Sequence, residues 1–275
     1  MNPIVIVFQL AATGEQCSIQ SMCAEFTPGS SLSFEKLLHA AGVMLQILRL
    51  ESQTRVYPRG LAPVVLPSTQ EGLSVADAEF SLIPSWWKPT TGASPTSTRA
   101  PRPPFATHNA RLETIATKPA FRDSFRKRHC IVPIDCFYES SLFGDQFAGH
   151  RIRVQSTESL YAAACTSEWV DPTTGELILS FTIITSRPTH KLFAAGHDRM
   201  PIFLNISGAQ EWLTNQNSES QKLFAFLQKN SVNRELPLQI SIDRVLKDGW
   251  QKKAPSQDEL TILAKQIDQS EPSSR

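Results

Sequence analysis

The sequence lacks any C-x-x-C pair, which excludes the usual spacing of a structural zinc site. Its five cysteines, Cys17, Cys23, Cys130, Cys136 and Cys165, are odd in number and sparse, and fit reduced thiols better than a disulfide framework. No apolar run reaches the roughly 18 residues that a membrane helix requires. The N-terminal "IVIVFQLAA" is apolar, but no basic residues precede it and "CSIQS" is a poor cleavage site, so it does not read as a secretory signal. Neither sign of charge dominates: 27 Lys and Arg stand against 26 Asp and Glu, for a net charge of +1. Any nucleic-acid footprint is therefore local. The P-loop, the G-x-S-x-G elbow and H-E-x-x-H are also missing.

What is present suits an ordinary globular chain: 275 residues, 41% hydrophobic and 19% charged, enough for a sizeable core. Phe34, Leu37, Leu38, Ala41, Leu45 and Leu48 recur at helical spacing behind Ser33, which predicts a capped helix over 34–49. "APVVLP" and "EFSLIPSWW" read as short extended pieces broken by proline. Residues 88–104, rich in Pro, Ser and Thr, read as a surface loop rather than a domain linker. "KPAFRDSFRKRH" predicts a short helix, and "CIVPIDCFYE" a strand. "SLYAAACTSEWV" and "LILSFTIITS" predict two strands joined through turn residues 171–175. A helix is expected from Ser207, where Ser-x-x-Gln resembles a capping box, and another over 219–228. From about Lys253 the chain turns polar, with "ELTILAK" adding a turn or two of helix. There is no internal repeat, and strands and helices do not alternate as in a doubly wound fold. The pattern points to one α+β domain.

Four stretches combine titratable and turn-forming residues: Met22-Cys23, "HNARLET" (108–114), "PIDCFYES" (133–140) and "GHDRMP" (196–201). Each has a plain structural explanation. A lone Cys23 fits a core position as well as a nucleophile. Asn109 can close a turn and Arg111 can be solvated surface. Glu139 can mark the exposed end of a strand. His197-Asp198-Arg199 can be a structural ion cluster.

Taken together, Cys23, "NAR", "FYE" and "HDRMP" occur in the order and rough spacing of the SOS-response-associated peptidase (SRAP) family, which this chain resembles from Met22 to about Asn205. "LIPSW", "KPAFRDSFRKRHCIVPIDCFYE" and "FTIIT" extend the likeness. The resemblance implies a single SRAP-like domain over 22–250 with a mixed, barrel-like β core flanked by helices, preceded by an extension (1–21) and followed by a polar tail (251–275). It implies an abasic-site processing enzyme, a cytoplasmic monomer of the DNA damage response. Its partner would be single-stranded DNA containing abasic sites, with no membrane, metal or organic cofactor. The aldehyde of the opened sugar would be captured by Cys23 as the first residue of the mature chain, through a thiazolidine. An internal cysteine cannot form that ring, because its nitrogen is an amide. Translation from Met22, or cleavage before Cys23, is therefore expected.

The resemblance also assigns roles. Asn109 would orient the sugar or the Cys23 amine. Glu139 would shuttle protons, its pKa raised by partial burial, and His197 would act at the sugar hydroxyl with Asp198 or Arg199 fixing its orientation. Arg111, Arg122, Arg126, Lys127 and Arg128 are implied phosphate contacts. Trp86 and Trp87 would stack on bases, or else pack in the core. The chain departs from the family at Ala24-Glu25, where Gly-Arg is common, so Glu25 either turns away from DNA or weakens its binding. It departs again at Phe80-Ser81 (commonly Trp-Gly), at Cys136 (commonly glycine) and at Ser140 (commonly tryptophan). Two other readings stay open. One is an autoproteolytic cysteine peptidase using Cys23 and His197; the other is a non-covalent single-stranded nucleic-acid binder.

Overall fold

A computed structural model describes residues 7–8, 25–43, 49–50, 55–69, 72–89 and 102–269. Met22, Cys23, Leu45, Leu48 and most of the stretch 88–104 lie outside them. Two short strands, β1 (Val7–Phe8) and β3 (Arg49–Leu50), pair in parallel apart from the main sheet. The main sheet has ten strands: β2 (Glu25–Pro28), β4 (Leu61–Ser68), β5 (Gly72–Phe80), β6 (Asn109–Arg111), β7 (His129–Ser140), β8 (His150–Val170), β9 (Leu177–Ser186), β10 (Met200–Pro201), β11 (Phe203–Leu204) and β12 (Leu238–Val245). Its pairings close on themselves, running β9 to β5, β4, β7, β8 and back to β9. The sheet is ring-like, and with its flanking helices the chain is α+β.

Alternation along the strands explains why two apolar clusters form, one on each face of the sheet. In β7, Cys130, Val132 and Ile134 enter one cluster while Ile131 enters the other. In β8, Leu160, Ala162 and Ala164 alternate with Tyr161, Ala163 and Cys165 in the same way. Strands buried on both faces need apolar residues at almost every position, which is what "CIVPI" and "LYAAAC" supply. Burial raises the thiol pKa of both Cys130 and Cys165, so these residues serve as small apolar side chains.

Five helices pack on one face, whereas Leu192 of another joins the cluster on the opposite face. The first, α1 (Ser31–Ala40), is shorter than the 34–49 that periodicity predicts. It is stopped by Gly42 at φ +76°, with the Val43 amide donating to the Leu38 carbonyl in a Schellman-type ending. Its N-cap is Ser30, not Ser33. Then come α2 (Leu112–Ile115), α3 (Arg122–Lys127), α4 (His190–Ala194), α5 (Ile206–Thr214) and α6 (Ser220–Asn230). The cap of α5 is Asn205, whose side chain accepts the Gly208 amide, rather than the predicted Ser207. A 3-10 turn (Trp250–Lys253) leads to α7 (Gln257–Gln269), longer than the expected turn or two. Ser256 and Glu259 form its capping box. No helix among the described residues is long and apolar enough to cross a membrane.

Candidate active site

The site is built at the far end of β7, whose register on β8 sets Glu139 opposite Ile152 and Ser140 opposite Arg151. Glu139 and His197 are both fully buried, at 0% and 1% exposed, and His197 Nε2 lies 3.1 Å from Glu139 Oε2. The other ring nitrogen, Nδ1, lies 3.0 Å from the Ser140 carbonyl oxygen, which can only accept, so Nδ1 carries a proton and donates it. That fixes the ring and turns Nε2 toward the carboxylate, where it makes no hydrogen bond of good geometry within the protein. A bare nitrogen lone pair and a carboxylate oxygen this close repel, so the geometry calls for a proton between them.

The backbone around His197 explains its placement. Gly196 has φ +89°, and a Cβ there would sit 2.1 Å from the Phe143 carbonyl oxygen and 2.3 Å from Ser141 Oγ. Only glycine lets the loop after β7 and the turn after α4 touch. Their contact is sealed by the Leu142 amide donating to the Gly196 carbonyl at 2.9 Å.

The orienting role expected of Asp198 or Arg199 is corrected by the structure: the Ser140 carbonyl performs it. Asp198 Oδ1 is 3.9 Å from Nε2. Arg199 instead makes a two-pronged pair with Glu113, at 2.9 and 2.8 Å, and donates to the Thr185 carbonyl at 2.7 Å. Burial disfavours the Glu113 carboxylate, yet the Arg199 fork outweighs it and holds its pKa below the ordinary glutamate value. This clasp ties the "HDRMP" segment to the junction of β6 and α2. Asn109 sits buried in β6, in parallel register with Ile183 of β9. Arg111, exposed, faces Thr185 at the end of the same strand pair.

Glu25 resolves the first departure from the family pattern: it turns inward. It is 1% exposed and clasped by three arginines. Oε1 accepts from Arg55 at 2.9 Å and the Tyr57 hydroxyl at 3.2 Å; Oε2 accepts from Arg151 and from Arg244, both at 3.1 Å. Asp243 bridges Arg55 and Arg244 from the other side. Burial by itself raises the Glu25 pKa, but Arg244, Arg151 and Arg55 together hold it below the ordinary value.

The basic residues of α3 stand apart from this centre. Arg128 directly precedes β7 whereas Glu139 is next to its end, about 36 Å away along the path of an extended strand. Arg122, Arg126 and Arg128 are exposed, and Arg128 pairs with Glu168 at 2.9 Å. Trp86 is 51% exposed and donates its indole N–H to the Pro119 carbonyl, close to the start of α3. Trp87 instead packs on Trp169, with ring centroids 5.4 Å apart. Sequence reasoning did not single out Glu113, Thr185 or Arg151. Their partners lie far away along the chain, and no local spacing marks them.

Comparison with known proteins follows from this geometry. Residues 22–243 match the family model described as SOS response associated peptidase (SRAP). "Abasic site processing protein YoqW" of Bacillus subtilis (strain 168) is 34% identical over 134 residues, which are 48% of this chain and 59% of that protein. "Abasic site processing protein YobE" of the same organism is 36% identical over 120 residues, 43% of this chain and 54% of that protein. The match thus spans little more than half the length of these relatives. Among solved structures, a Bordetella bronchiseptica protein superimposes with a TM-score of 0.62 at 20% identity, covering 81% of this chain and all of that one. A Bacteroides thetaiotaomicron protein gives 0.58 at 21% identity, covering 80% and 92%. These two likenesses concern the fold alone.

Proposed function

The chain belongs to the SRAP family, and from that premise we propose that it processes abasic sites, capturing the lesion in single-stranded DNA covalently through Cys23 as the mature N-terminal residue. The relatives named abasic site processing proteins support the substrate class. The observation that carries the reading is the buried Glu139–His197 pair at 3.1 Å on the strand that also receives β2. Glu25, the first residue of β2, is opposite Tyr138, the chain neighbour of Glu139. Covalent geometry keeps the Cys23 Cα within about 7 Å of that of Glu25.

The proposed chemistry balances without a cofactor. The ring-opened sugar presents an aldehyde, and the Cys23 α-amine adds to it; an α-amine has a reference pKa of about 7.7–8.0, so part of it is neutral near pH 7. The carbonyl oxygen leaves as water, giving an imine. The thiol sulfur then adds to the imine carbon, and its proton ends on nitrogen. Because amine and thiol belong to one residue, ring closure is intramolecular, which makes it fast. Glu139 moves the protons of ring opening and imine formation, and His197 acts at the sugar hydroxyl. Asn109 orients the sugar or the amine. Arg111, with Arg122, Arg126 and Arg128 further along, contacts phosphates, and Trp86 stacks on a base. On this reading residues 1–21 are absent from the mature protein, and Met22 is removed as well.

The test is incubation of protein beginning at Cys23 with single-stranded DNA containing one abasic site. A complex that survives denaturation and disappears in Cys23→Ala supports capture. Binding that is salt-sensitive, indifferent to the lesion and lost on denaturation would reduce the protein to a plain binder.

A further inference from the structure

Two departures from the family pattern, Glu25 and Ser140, are joined by a single buried side chain. Arg151 is 4% exposed, and its guanidinium is shared between strands. Its Nε and Nη2 each lie 3.1 Å from Glu25 Oε2, while Nη1 donates to Ser140 Oγ at 3.1 Å. Glu25 belongs to β2, Ser140 to β7 and Arg151 to β8, so one planar fork ties together three strands. Ser140 in turn holds His197 in place, its carbonyl accepting from Nδ1 at 3.0 Å, and its chain neighbour is Glu139.

We infer that Arg151 is a positioning residue that couples the seating of the N-terminal strand to the orientation of the Glu139–His197 pair. Contacts run without a gap from Glu25 to Arg151, Ser140 and His197. When β2 is docked and Glu25 occupies the arginine clasp, the guanidinium is held in the plane that meets Ser140. The strand end bearing Glu139 and Ser140 is then fixed from the face opposite to the one on which Glu139 meets His197, since successive side chains of a strand alternate. Removing the clasp leaves Arg151 free to turn, and Ser140 with it. A lysine at 151 keeps one charge for Glu25 but cannot reach both partners, because the double contact depends on the planar fork. Glu25 and Ser140 are therefore two ends of one device.

This inference rests on the capture chemistry for its kinetic consequence but not for its structural one, so two measurements keep them separate. The first is the Nδ1–H correlation of His197 in nitrogen-15-labelled protein, read without DNA. Ser140→Ala, Arg151→Lys and Glu25→Gln should each shift it or broaden it by exchange, whereas Lys222→Gln, a solvated pair on α6, should leave it in place. The second is single-turnover adduct formation on lesion-containing single-stranded DNA. Ser140→Ala and Arg151→Lys should each lower the saturating rate by about three- to tenfold with the half-saturating DNA concentration unchanged. The double variant should be no slower than either single one, because both remove the same contact. An unchanged His197 resonance in all three variants, or additive rate losses in the double variant, overturns the coupling. Unaltered coupling of the resonance in a protein that forms no adduct would instead sink the capture reading and leave Arg151 as a positioning residue for whatever the pair does.

Discussion

Glu25 and Glu139 are both buried carboxylates at the same end of β7, on opposite faces of the sheet, and their neighbours differ in kind. Glu25 faces three guanidinium groups, none of which releases a proton at any pH the fold survives. Glu139 faces an imidazole nitrogen, which can stand as hydrogen-bond donor or acceptor. The first environment locks one charge state and suits anchoring. The second lets a proton move between two groups shielded from bulk water, and suits catalysis. Burial by itself therefore says little about what a carboxylate does; the acidity of its partner decides.

The sharpest way to break this contrast is Glu139→Gln, which removes the exchangeable proton while keeping the shape. Adduct formation should slow by about 10²–10⁴-fold in single-turnover gels, with DNA affinity nearly unchanged; a wild-type rate would show that the pair is not used. Glu25→Gln should act on stability instead, by about 3 kcal/mol at neutral pH in urea titrations, since it leaves the buried Arg151 without its counter-charge. Its pH dependence has a definite sign. The folded Glu25 pKa is depressed, so its contribution is complete above the unfolded value of about 4.3 and fades as pH falls through the lower folded value. The gap between wild type and variant should narrow in that acid window. Gly196→Ala forces a Cβ into the Phe143 carbonyl and should cost about 2 kcal/mol, seen as a lower melting temperature. Arg128→Gln, which breaks a half-exposed pair with Glu168, should change stability by less than about 1 kcal/mol. If Arg128 touches phosphate, the salt dependence of single-strand binding should fall by about 0.7 in slope.

Strands with apolar residues on both faces were readable directly: "CIVPIDCFYE" and "LILSFTIITS" fall within β7 and β9. Helix ends were less so. The periodicity of 34–49 runs straight through Ala41-Gly42, and only the left-handed glycine shows where the helix stops. Ser-x-x-Glu at 256–259 was a legible cap that the polar composition around it obscured. At the site, motif order picked out Glu139 and His197, which the fold brings within 3.1 Å. What it could not reach were contacts made across strands. Arg151 and Glu25 are separated by 126 positions, and Arg199 and Glu113 by 86. No local pattern encodes such partners, because register, not spacing, brings them together. The inward turn of Glu25 has the same origin.

The chain leaves the edge of β9 after Phe80 of β5, which pairs with Phe181, and returns to it at Asn109 of β6, which pairs with Ile183. The whole excursion from Ser81 to His108 thus departs from and rejoins a single edge two rungs apart. The register of Asn109 is set by its own rungs on β9, and lengthening the connection adds only a small loop-closure penalty. That stretch is accordingly the natural place to graft a reporter, or for evolution to try new contacts, without disturbing the chemistry beside it.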